Sequence, residues 1–115
     1  MPDKTTTVAE LRDALRRFVD ERDWQQFHTP KNLAMSIAIE TAELMEHFQW
    51  LSPAAARDLP EADLQNVREE LADIFCYALS FANAMGIDVS DAVREKMIKN
   101  AAKYPADRVR GKLGV

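Results

Sequence analysis

Two carboxylate pairs at one spacing, Glu40-x-x-Glu43 and Glu70-x-x-Asp73, lie inside the two most apolar stretches of this chain. A carboxylate withdrawn from water without a partner loses its charge or destabilises the fold. Four of them on neighbouring helices are best reconciled by divalent cations held between the helices. The i, i+3 spacing puts both members of each pair on one helical face, which is what convergence requires. One such pair is common on solvated helix faces, so the weight falls on the doubling of the pattern and on its apolar surroundings. Oxygen-only donors suit a hard cation, Mg²⁺ first and Mn²⁺ as a substitute.

Composition points the same way. The 115 residues suffice for one domain with a single core, and only 3 Gly and 5 Pro against 47% hydrophobic residues disfavour a loop-rich β architecture. The expected fold class is all-α. A formal net charge of -4 argues against broad electrostatic binding to nucleic acid or to an anionic membrane, although a local basic patch can still hold phosphates. Cys76, the sole cysteine, has no internal disulfide partner and is read as packing in a reducing compartment. The first residues lack the apolar core of a secretory signal, and no run approaches the roughly 18 apolar residues of a membrane span. A cytoplasmic location and no membrane partner are the resulting expectations.

Cap and stop signals divide the chain into four main helices. Thr7-Val8-Ala9-Glu10 reads as a capping box, with Val8, Leu11, Leu15 and Phe18 continuing a helical stripe toward Asp23. Thr29-Pro30 opens a second helix that is expected to run to about Trp50. Ser52-Pro53 marks a short helical turn, Pro60 closes that connection, and a third long helix follows from about Glu61 to Met85, stopped by Gly86. Asp88-Val89-Ser90-Asp91 caps the last, which Tyr104-Pro105 ends. The expected architecture is a four-helix bundle in one domain over 1–115, with its core over about 7–105 and a mobile basic tail over 106–115. Helix two is apolar on more sides than one: Leu33, Ile37, Leu44 and Phe48 make one strip, and Met35, Ile39 and Ala42 another. Such width predicts burial between subunits, hence a homodimer or a dimer of dimers.

At about 100° per residue, Asn32, Ser36, Glu40, Glu43, His47 and Trp50 fall on one quarter of helix two, and Asn66, Glu70, Asp73, Tyr77 and Ser80 on a matching strip of helix three. Lys96, Lys99, Asn100 and Lys103 share a face of helix four, a spacing suited either to phosphates or to plain solvation near a helix C-terminus. Trp24, Phe27, His28 and Trp50 bracket helix two, and Trp24 and Trp50 are candidates for stacking on a base or for core packing. Neither His28 nor His47 is assigned a catalytic role.

The segment Arg22-Asp23-Trp24-Gln25-Gln26-Phe27-His28-Thr29-Pro30-Lys31-Asn32-Leu33, with Glu40-Thr41-Ala42-Glu43 and Phe48-Gln49-Trp50, resembles the MazG-like all-α nucleoside triphosphate pyrophosphohydrolases, above all the dCTP pyrophosphatase branch. The resemblance continues through Glu69-Glu70-Leu71-Ala72-Asp73-Ile74 to Tyr104-Pro105, about residues 20–105. It implies that Glu40, Glu43, Glu70 and Asp73 bind Mg²⁺, that Trp24 and Trp50 flank the base, and that Tyr77, Lys96 and Asn100 contact the triphosphate or sugar. Lys99 and Lys103 extend that idea. It also implies a helical bundle that assembles as a tetramer of paired dimers, with sites near subunit interfaces. Leu15 and Phe18 lie near positions that shape the base pocket in relatives, where the resemblance fades.

The expected activity is Mg²⁺-dependent hydrolysis of a (deoxy)nucleoside triphosphate, dCTP or a modified dCTP, to the monophosphate and pyrophosphate. Glu43 is the expected catalytic residue, orienting or deprotonating the attacking water. Two alternatives stay open: hydrolysis of another nucleotide such as dUTP or phosphoribosyl-ATP, and a non-catalytic oligomeric nucleotide-binding module. A ferritin-type di-iron centre is disfavoured, because it requires Glu-x-x-His where this chain has Glu43 and Asp73.

Overall fold

Short polar side chains set most of the helix starts. Thr7 Oγ1 accepts from the Glu10 N–H at 3.1 Å while the Glu10 carboxylate accepts from the Thr7 N–H at 2.9 Å, a complete capping box at the head of α1 (Val8–Glu21). Thr29 caps α2 (Pro30–Glu46) by accepting from the Asn32 N–H at 3.3 Å, with Pro30 in the first turn, where its missing N–H costs nothing. Ser52 does the same for α3 (Pro53–Arg57). The long α4 (Glu61–Met85) follows Pro60 and carries Glu61 and Asp63 against the positive end of its dipole. Asp88 accepts from the Asp91 N–H at 2.9 Å to start α5 (Val89–Lys103), and Pro105 precedes the short α6 (Ala106–Val109). The computed structural model describes residues 1–113, and these contain helices and turns but no strand.

Two of the helices stop by one device. Gly86 takes a left-handed φ of 65° and lets the Ile87 N–H reach the Ala82 carbonyl at 3.0 Å. Asp23, at φ 53°, does so after α1, and the Trp24 N–H reaches the Val19 carbonyl at 3.1 Å. Aspartate is among the few side chains that tolerate this region at modest cost.

The second helix is shorter than expected. It ends at Glu46 instead of about Trp50, and the backbone tightens beyond it, with the His47 N–H bonded to the Leu44 carbonyl at 3.2 Å and the Phe48 N–H to the Met45 carbonyl at 3.0 Å. Bonds to the third residue back satisfy carbonyls that the ending helix would orphan, and they rotate Trp50 off the helical stripe that carries Glu40 and Glu43. Within the expected tail, residues 106–109 form α6. The last two residues of that tail, 114–115, lie outside the described residues.

Packing centres on α4. α2 lies along it most extensively and α1 adds a smaller contact, and among the described residues no pair of comparable extent involves α5. The buried residues are Val19 from α1, Leu33 from α2, and Leu79, Ser80 and Ala82 from α4. Residues 90–103 of α5 are all exposed, including Met97 at 63% and Ile98 at 71%. Consistent with this, the radius of gyration of 17.3 Å exceeds the roughly 13 Å of a compact chain of this length.

A polar clasp joins α1 to the end of α4. Arg12 donates through Nε to Asn83 Oδ1 at 2.9 Å and through Nη1 to the Ile87 carbonyl at 2.7 Å; Asn83 Nδ2 donates back to the Arg12 carbonyl at 3.1 Å. Arg16 Nη2 adds a bond of 3.2 Å to the same Asn83 oxygen. Replacing Asn83 by Leu strands both guanidinium donors and the carbonyl of Arg12. The expected loss of stability is about 1–3 kcal/mol, read from urea denaturation of wild type and Asn83→Leu.

Candidate metal centre and adjoining cavity

Glu40 and Glu43 sit one turn apart on α2, and the packing of α2 on α4 brings Glu70 up to them. One oxygen from each of the three lies within 4.8 Å of the others. Glu40 and Glu70 are half-buried and Glu43 is exposed. Glu40 Oε2 and Glu70 Oε2 are buried atoms with no hydrogen-bond partner among the described residues. Each such orphan lacks the compensation that normally accompanies burial, and a cation between the helices would supply it.

Electrostatics record the same strain. Loss of water and then the hydrogen bond and charge of Glu43, joined by Asp73 and Glu70, push the Glu40 carboxyl up from 4.5 to about 7. Glu70 is also raised, by desolvation first and Glu43 next, with His47 pulling in the opposite direction. Tyr77 is pushed up by burial and then by the charges of Glu40 and Asp73.

Of the four expected ligands, the structure therefore gathers three closely. Asp73, one turn beyond Glu70 on α4, is exposed and outside that close group, yet near enough to raise Glu40 and Tyr77. Tyr77 stands half-buried beside the cluster. Trp24 borders a cavity of about 680 Å³ between α1 and α4, shared with Phe18, His28, Asp73, Cys76 and Tyr77. Its ring meets Phe18 edge-on at 5.9 Å and stacks with His28 at 6.4 Å between centroids. Cys76, read from sequence as packing, is exposed and borders that cavity.

Three other expected contacts are not gathered in. Trp50 is 86% exposed on the turn after α2. Lys96 and Asn100 are exposed on α5, and among the described residues neither side chain forms an ion pair or hydrogen bond with the carboxylates.

The residue that sequence reasoning left without a role is His47, whose Nε2 lies 3.6 Å from Glu70 Oε1. Its place on the strip of Glu40 and Glu43 was the available signal. Which carboxylate it faces depends on the registry of α2 against α4, and a helical projection does not contain that registry.

The described residues form an all-helical protein in which acidic oxygens from two packed helices converge beside an aromatic-walled cavity, an arrangement that could hold a metal ion. The MazG-like family model matches residues 35–112, and the chain belongs to that family. It is 36% identical over 107 residues to dCTP pyrophosphatase 1 of Mus musculus, covering 91% of this chain and 63% of the relative. Against dCTP pyrophosphatase 1 of Homo sapiens it is 37% identical over 109 residues, covering 90% and 62%. The chain thus spans less than two-thirds of these curated relatives. A crystal structure of a pyrophosphatase from Archaeoglobus fulgidus DSM 4304 superposes with a TM-score of 0.82 at 43% identity, covering 91% of this chain and 98% of that one. Among the described residues no helix is long and apolar enough to cross a membrane.

The shift of Glu40 has a stability consequence. Between pH 4.5 and about 7 the folded protein keeps a proton on Glu40 that the unfolded chain releases. The folded state then binds more protons, so stability falls as pH rises through that window. In chelator, the melting temperature should fall between about pH 5 and about pH 8, Glu40→Gln should flatten the decline, and Mg²⁺ should restore the loss above neutrality. Thermal melts across pH, with and without Mg²⁺, check all three.

Proposed function

We propose that this chain is a Mg²⁺-dependent nucleoside triphosphate pyrophosphohydrolase acting on dCTP or a modified dCTP, a nucleotide-pool enzyme of the cytoplasm. The observation that carries the reading is the carboxylate trio with its two orphaned oxygens, in a chain of the MazG-like family similar to dCTP pyrophosphatases. The whole of 1–115 is read as one catalytic domain. Glu40, Glu43, Glu70 and Asp73 are the proposed ligand set, with Mn²⁺ as a substitute for Mg²⁺. When bound, the cation supplies charge neutralisation for the phosphate oxygens and lowers the cost of activating water.

The protein's own part is positioning. Glu43, the exposed member of the trio, is open to solvent and so is the group placed to orient the attacking water and take its proton. Tyr77 offers a hydroxyl between the carboxylates and the cavity, suited to a phosphate or sugar oxygen. Trp24 and Phe18 present apolar ring surface to a base, and the cavity volume is in the range of small-molecule sites.

Trp50, Lys96 and Asn100 belong to the substrate set only if another copy of the chain brings them in. A single chain exposes 9312 Å² of surface, against about 6,400 Å² for a compact monomer of its mass. Much of the excess is apolar, with Phe75, Met97 and Ile98 among the exposed residues. A homotetramer built from dimers, with sites near the subunit interfaces, answers that excess. Light scattering should give an oligomer mass, and Met97→Glu should lower that mass and the activity together.

Pyrophosphate release from a panel of canonical and modified nucleoside triphosphates tests the activity. Wild type with Mg²⁺ should release pyrophosphate, fastest from dCTP or a relative of it. Glu43→Gln should lose at least about 100-fold in kcat with the oligomer intact. An intact oligomer that binds nucleotide and releases nothing would overturn the enzyme in favour of a binding module, and a clear preference for dUTP would move the substrate.

A further inference from the structure

The two oxygens of Glu70 have different surroundings. Oε1 faces His47 Nε2 at 3.6 Å, while Oε2 is buried without a partner, as Glu40 Oε2 is. His47 stands at the C-cap of α2, where the backbone has already tightened, and its half-buried ring reaches across to α4 at Glu70. The contact therefore crosses the same α2–α4 boundary as the carboxylate trio. We propose that His47 is a positioning residue for the cation site: by engaging Glu70 Oε1 it leaves Oε2 as the one oxygen that Glu70 offers to a cation.

The consequence is selectivity. Small cations such as Mg²⁺ and Mn²⁺ take carboxylates one oxygen at a time in a near-octahedral shell, whereas Ca²⁺ accepts more oxygens and readily takes both from one carboxylate. A ring held against Oε1 opposes the two-oxygen grip and so disfavours Ca²⁺. Either the neutral ring with its proton on Nε2 or the charged ring supplies an N–H toward Oε1, so the effect does not depend on titration of His47. Partners of this kind, which orient a ligand without touching the ion, commonly carry about 10–100-fold in metal affinity.

The inference rests on the cation-site reading above, and the test separates the two. Mn²⁺ binding to the full chain is followed by electron paramagnetic resonance and competed with Ca²⁺, without nucleotide, for wild type, His47→Leu, His47→Gln and His47→Asn. Wild type should prefer Mn²⁺, and His47→Leu should lose about 10-fold of that preference. His47→Gln, whose amide nitrogen reaches the place of Nε2, should recover it. His47→Asn, too short to reach, should resemble the Leu variant and stands in for it if that one misfolds. A wild-type preference in correctly melting His47→Leu or His47→Asn, or a Gln variant that fails to recover, would overturn the role of His47 while leaving the site. Absence of Mn²⁺ binding in wild type would overturn both.

Discussion

Bringing carboxylates together across a helix boundary is the constraint around which this molecule is organised. Like charges a few ångströms apart repel, and each half-buried oxygen has given up water, so α2 and α4 meet at a place where their contact is locally unfavourable. The contact persists because apolar burial along the rest of the α2–α4 boundary, from Leu33 to Leu79 and Ala82, outweighs it. Anchoring is supplied well away from the acids, where Arg12 and Arg16 of α1 hold Asn83 near the C-terminal end of α4. The rise of the Glu40 carboxyl to about 7 expresses the same conflict in proton affinity.

That division of labour explains the chemistry the site is suited to. Oxygen donors carried on two packed helices have their spacing set by helix packing, and under the proposed function such preorganisation is what electrostatic catalysis at a phosphate requires. The flanking cavity is apolar and aromatic where the trio is acidic, the contrast that the proposed nucleotide substrate calls for. The two halves meet at Asp73 and Tyr77 on adjoining turns of α4, so one helix face sets the distance between them.

Much of this was written into the chain in local code. Thr7 with Glu10, Thr29 with Pro30, Ser52 with Pro53, Asp88 and Gly86 mark boundaries that residue chemistry alone identifies, and the repeated carboxylate spacing identified the acidic face. Trp50 was misplaced because a helical projection assumes that the helix continues, whereas the tightening of the backbone after Glu46 depends on where the chain must turn next. The pairing of His47 with Glu70 and the standing-off of α5 are likewise non-local. The first needs the registry between two helices, and the second needs to know how little of α5 one chain can cover.

The left-handed turn at Asp23 reaches further than the end of a helix. It sets the direction in which the chain leaves α1, and the Trp24 N–H bonded to the Val19 carbonyl brings the Trp24 backbone to where the indole meets Phe18 and His28. Leu15 and Phe18 line the same cavity from α1, on a different helix from Glu40, Glu43 and Glu70, so the cavity lining and the acidic cluster are carried by separate elements. One aspartate's backbone angle thus links the end of α1 to the aromatic wall of the cavity.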